Sequence, residues 1–139
     1  MKTALPYGIL IGVLSGIWIF VIQQQGTHER DIGENGFFGI SVLEYLSVLI
    51  HLAGLYFGIG SYKRRKKDNE LQFFEALFHG FRILLIGGAI TAFFISIYLH
   101  YAPEAFLQDY MGRLAAALLV GILLNLGVSL WYRNYPKNL

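Results

Sequence analysis

Apolar residues fall into four long blocks along the chain, each about the length a helix needs to cross the hydrocarbon of a bilayer, with short polar stretches between them. The first runs from Ala4 to Ile22 and stops at Gln23, Gln24 and Gln25. The second covers residues 38–60, the third 72–101 and the fourth 112–132. Thr27 to Gly36, with His28, Glu29, Arg30, Asp31 and Glu34, reads as a polar loop between the first two. Residues 62–71 form a second loop, which carries five consecutive basic residues, Lys63, Arg64, Arg65, Lys66 and Lys67. Pro103 ends the third block, and Glu104 to Tyr110 reads as a short, mildly acidic connection. The pattern predicts an all-α, integral membrane four-helix bundle, a single transmembrane domain over residues 1–139 made of two antiparallel hairpins. Lys2 before an apolar run also has the polarity of a signal peptide. The run is long for one, however, and no A-x-A-like site precedes Gln23, so a retained first span is expected.

Inside the blocks, small and polar residues recur at helical spacing. Gly8, Gly12 and Gly16 lie every fourth residue, which lets another helix approach closely, either inside the bundle or from a second chain. In the second span Glu44, Ser47, His51, Gly54, Gly58 and Ser61 alternate three and four apart. The third repeats this with Glu75, His79, Arg82, Ile86, Ala89, Phe93, Ser96 and His100, and the fourth offers Arg113, Ala117, Gly121, Asn125 and Ser129. Lipid gives such groups no hydrogen-bond partners, so these stripes are expected to face the bundle interior. Counting back from the basic loop puts His51 level with Arg82, Gly54 with His79 and Gly58 with Glu75. Arg82 then falls about 15 Å into its span, near mid-bilayer, where a charge needs a partner; Glu75, Glu44 and Asn125 are the candidates. Residues 7–20 laid over 79–92 match Gly8 with Gly80 and Gly16 with Gly88, a weak hint that the hairpins are duplicates.

Composition agrees with lipid as solvent: 55% of the 139 residues are hydrophobic and only 14% charged. The net charge of +2 is concentrated in one loop, which argues for a topology signal and against nucleic acid as partner. Lys2, Lys63–Lys67, Arg133 and Lys137 on one side outweigh Arg30 and Arg113 on the other, so both termini are expected in the cytoplasm. Tyr7, Tyr62, Trp131, Tyr132 and Tyr135 anchor the inner boundary, and Tyr98, Tyr101 and Tyr110 the outer one. The absence of cysteine excludes disulfides, thiolate metal sites and cysteine nucleophiles.

Chemistry is sparse. There is no Walker phosphate loop, no G-x-S-x-G elbow and no H-E-x-x-H, and no catalytic residue is assigned. Glu44, Ser47, His51, Glu75, His79, Arg82 and Asn125 form an intramembrane polar face, read first as a hydrogen-bonding network between helices and second as a proton or ion path lined by Glu44, His51, His79 and Arg82. His51 and His79 could hold haem iron or a divalent metal, but the carboxylate-histidine repeat of a dinuclear bundle is missing, and no cofactor or metal is expected. Gly54, Gly58 and Gly121 join Gly8, Gly12 and Gly16 as packing positions. The basic run enforces topology and also suits anionic lipid head groups.

MKTALPYGILIGVLSGIWIF, LYFGIGSYKRRKK and LQFFEALFHGFRILLIGGAITAFFISIY resemble a family of small four-span membrane proteins of Bacteroidota catalogued as domain of unknown function 4199. Phe74, Ala76, Leu77, Phe78 and Gly80 approximate its Phe-x-x-Ala-Phe-x-x-Gly helix start, while Asp68-Asn69-Glu70 stands where a glycine turn is usual. The resemblance implies a bacterial inner-membrane protein and no activity. The function expected is non-catalytic, with self-association or service as an accessory subunit of a larger membrane complex; a small transporter or channel is the alternative.

Overall fold

The computed structural model describes residues 3–25, 42–66, 71–101 and 106–134, all but a few of them helical. The chain is all-α, with α1 (Ala4–Gln25), α2 (Val42–Arg65), α3 (Phe73–Tyr101) and α4 (Phe106–Asn134) in order. The loop expected over Thr27–Gly36 lies outside the described residues, as does Lys67.

Helix ends follow local chemistry. Pro6 sits in the first turn of α1, where its missing N–H is one of four that have no intrahelical acceptor. The glutamine triplet belongs to α1. Lys63, Arg64 and Arg65, expected in a loop, form the last turn of α2, where cations complement the partial negative charge of the helix C-terminus. At the start of α3 the Ala76 amide bonds to the Gln72 carbonyl at 3.0 Å. The Gln72 amide in turn donates to the Glu75 carboxylate at 3.3 Å, half of a capping box. Helix α4 starts six residues before the predicted position 112 and absorbs part of the expected acidic connection.

The packing is set by glycine. Helices α1 and α3 run parallel in the most extensive helix pair, with Gly8 against Ile86, Gly12 against Ile90 and Gly16 against Phe94. Ile11 is 1% exposed and fills the space between Gly54 of α2 and Gly87 of α3. Helix α4 closes the other side of the bundle against α2 and α3. Around this core of Ala4, Ile11, Leu55, Ile59, Ala76, Ile83 and Val128 the surface is apolar, with Leu123, Phe74 and Phe93 about two-thirds exposed. Two helical stretches, Ala4–Val21 and Phe73–Tyr98, are long and apolar enough to cross a membrane.

One expectation is corrected here. The register between α2 and α3 is not the one counted from the loop: Gly58 lies against Ile83 rather than Glu75, a slide of eight residues or about 12 Å. Tyr62 remains helical and stacks on His79, and this contact, rather than the loop, fixes the offset. Of the two packings open to the glycine stripe of α1, the structure shows the inward one, with α3 covering it. The glycines matched in the apparent repeat have different neighbours: Gly8 packs on Ile86 but Gly80 on Asn125, and Gly88 has nothing near it where Gly16 meets Phe94.

Candidate functional site

Polar side chains gather at the end of the bundle that carries the basic turn. His79 is buried, its ring stacked on Tyr62 with centroids 4.2 Å apart and planes 15° from parallel. Its Nε2 lies 3.4 Å from the Thr3 hydroxyl, the residue just before α1. On the other side of α3, Asn125 of α4 donates from Nδ2 to the Leu77 carbonyl at 3.0 Å and accepts at Oδ1 from the Ser129 hydroxyl at 3.4 Å. Gly80 makes room for that amide, since a Cβ there would overlap Oδ1. Tyr132 completes the α2–α4 seam: its hydroxyl donates to the Tyr56 carbonyl at 2.9 Å, its ring lies in the notch at Gly60, and its own carbonyl accepts from Lys63 at 3.4 Å.

Beside His79 an open cleft of about 250 Å³ is lined by Tyr62, Phe74, Glu75, Phe78, His79 and Arg82. Glu75 is paired with Lys66, which ties the start of α3 to the end of the basic turn. Both partners are about one-third exposed, so the pair adds little stability. Glu75→Gln is expected to cost less than about 1 kcal/mol, read as a small fall in melting temperature that shrinks as salt is raised.

Arg82 does not point into the bundle. It is exposed at the rim of the cleft. Along the bundle it stands close to the basic turn. His79 is level with Tyr62, the residue immediately before the basic turn, and Arg82 is three residues further along α3, about 4.5 Å. The expected polar face is therefore divided. His79, Asn125, Ser129, Gly54, Gly58 and Gly121 are buried, Ser47, His51, Ser61 and Glu75 are half-buried, and Arg82, Ala89, Ser96 and Ala117 are exposed. The side chains of Glu44 and Arg113 lie outside the described residues. His51 bonds from Nδ1 to the Ser47 carbonyl of its own helix at 2.9 Å. It lies one turn above Gly54, which shares Ile11 with Gly87, so His51 and His79 are separated by about 16 Å along the bundle axis. They do not form one site.

The sequence reading did not single out Thr3 or Tyr62 as neighbours of His79. Tyr62 could have been found from its place at the apolar end of α2, where tyrosine rings reach across to a neighbouring helix. Thr3 carries a weaker signal, a hydroxyl residue immediately before an apolar run.

A family model described as protein of unknown function (DUF4199) matches residues 6–119. The chain belongs to this family. No curated protein and no solved structure matches it. The DUF4199 match contains the glycine stripe of α1, the basic turn and all six residues of the cleft, whereas Asn125, Ser129 and Tyr132 lie beyond its end.

Proposed function

We propose that this is a non-catalytic, multi-pass protein of the bacterial inner membrane, crossing it four times with both termini in the cytoplasm. In this reading it self-associates or serves as an accessory subunit of a larger membrane complex. One observation carries the reading: apart from the Ser15 hydroxyl, which is buried with no bonding partner among the described residues, the polar groups described inside the bundle bind one another or backbone carbonyls, and glycines let the helices pack closely between them. Asn125 and Ser129 are satisfied at Leu77 and at each other, and Thr91 bonds to the Gly87 carbonyl at 2.9 Å and the Gly12 carbonyl at 3.4 Å. Such bonds hold helices together in lipid. The apolar exterior supports the membrane setting, because a core helix of a soluble protein is mostly buried, whereas only 22% of the apolar window in α3 is. The asymmetry of Lys63, Arg64, Arg65 and Arg133 supports the orientation.

The test is a native mass spectrum of the protein extracted gently from its own membrane. A second protein at fixed stoichiometry, or a homo-oligomer, is the expected result. A monomer that conducts ions in proteoliposomes, and loses that flux in His51→Ala and Arg82→Ala variants, would replace this reading with the transporter.

A further inference from the structure

We propose that the cleft between the end of α2 and the start of α3 binds the phosphate of an anionic phospholipid of the cytoplasmic leaflet, with Arg82 as its principal ligand. The inference rests on the membrane-spanning reading above, and it assigns a ligand to a surface for which that reading gives none.

Charge is the first argument. Among the described residues Arg82 has neither a hydrogen-bond nor an ion-pair partner. The one carboxylate that lines the cleft among the described residues, Glu75, is already held by Lys66 and by the Gln72 amide. The cleft therefore carries, among the described residues, a guanidinium without a counter-charge, whose planar fork matches the oxygens of a phosphate. Arg65, one turn beyond Tyr62 on the same face of α2, is exposed, so a second cation follows the cleft-lining Tyr62 along that helix.

Depth and direction are the second. Side chains on a helix lean toward its N-terminus, and the N-terminus of α3 is the end beside the basic turn. From about one turn inside the level of Lys63, Arg82 thus reaches back toward the head-group layer, as a snorkelling arginine does. Phe74 and Phe78, both about two-thirds exposed, line the cleft on the same helix and suit the glycerol and upper acyl carbons beneath a phosphate. The stacked Tyr62–His79 pair forms the floor and is held in place from behind by Thr3.

The full-length protein is reconstituted in nanodiscs of equimolar phosphatidylglycerol and phosphatidylcholine, and the lipid it retains is counted by native mass spectrometry. Wild type is expected to retain phosphatidylglycerol preferentially. Arg82→Gln should lower that retention about fivefold, the effect of one charge near the membrane surface, while Arg133→Gln, a charge at the same end on α4, should not. Circular dichroism confirms that both variants stay folded, as exposed positions predict. Excess inorganic phosphate should not displace the lipid. Equal retention by wild type and Arg82→Gln, an equal loss in Arg133→Gln, or displacement by inorganic phosphate would overturn the proposal, as would a partner protein bound at Arg82 in place of lipid. Failure to enter the bilayer at all would sink the membrane reading itself, and a protein that inserts without lipid preference would sink this inference alone.

Discussion

Gly12→Val is expected to be among the most damaging single substitutions in α1, lowering stability by roughly 3 kcal/mol, the upper end of the range for overpacking. A Cβ at this position would stand 2.6 Å from the Ile90 Cβ and 2.8 Å from the Gly87 carbonyl oxygen. The second of these is backbone, so rotamer changes cannot relieve the overlap and the two helices must separate. Separation would also lengthen the Thr91 bond to the Gly12 carbonyl. Replacing glycine normally favours a helix by up to about 1 kcal/mol, so a loss at Gly12 means that the interface outweighs propensity. Gly88→Val supplies the contrast. Nothing lies within 4 Å of a Cβ there, and its effect should stay within about 0.5 kcal/mol. Unfolding by a denaturing detergent, followed by circular dichroism, measures both. Equal midpoints for the two variants would show that α1 and α3 do not meet along this stripe.

Gly80 and Asn125 should be energetically coupled. Gly80→Ala puts a methyl group where the Asn125 amide oxygen sits, and that amide is fixed by its bonds to Leu77 and Ser129. A loss of roughly 2 kcal/mol is expected from overpacking. Asn125→Ala alone should cost about 1 kcal/mol, since hydrogen bonds between membrane helices average below that and reach about 1.7, and it leaves the buried Ser129 hydroxyl without its acceptor. In the double variant the methyl group fits the space the amide vacates. The combined loss should fall below the sum by 1 kcal/mol or more, within the usual range for residues in contact. Strict additivity in the same unfolding measurement would place Asn125 away from Gly80.

The two experiments probe different parts of the DUF4199 chain. Gly12 lies within the family match and Asn125 beyond it. The α1–α3 seam rests on small residues with the Thr91 hydroxyl bonded across it to the Gly12 carbonyl, whereas the α3–α4 seam pairs a missing side chain with a polar one.

The number of helices, their approximate limits and the apolar character of their outward faces were legible in the sequence, because block length and hydropathy are local properties. The fourfold spacing of Gly8, Gly12 and Gly16 also identified a close-packing stripe, and Asn125 a polar contact. Which partner each would meet was decided only by tertiary structure. A stripe spaced alternately three and four drifts by about 20° per heptad on a straight helix. The drift is small beside the phase of the stripe: the buried face of α3 follows Ala76, Gly80, Ile83 and Gly87, the same spacing set one residue further on and so about 100° round the helix, while Arg82, Ala89 and Ser96 turn outward. Depth was likewise not a property of position in the block. Tyr62 stacked on His79 slides α3 relative to α2, bringing Arg82 close to the basic turn and separating His51 from His79. Small residues tell a helix where another backbone can come near, but only the assembled bundle selects among the glycines of three neighbours, because the choice depends on how all the facing side chains fill the space between them.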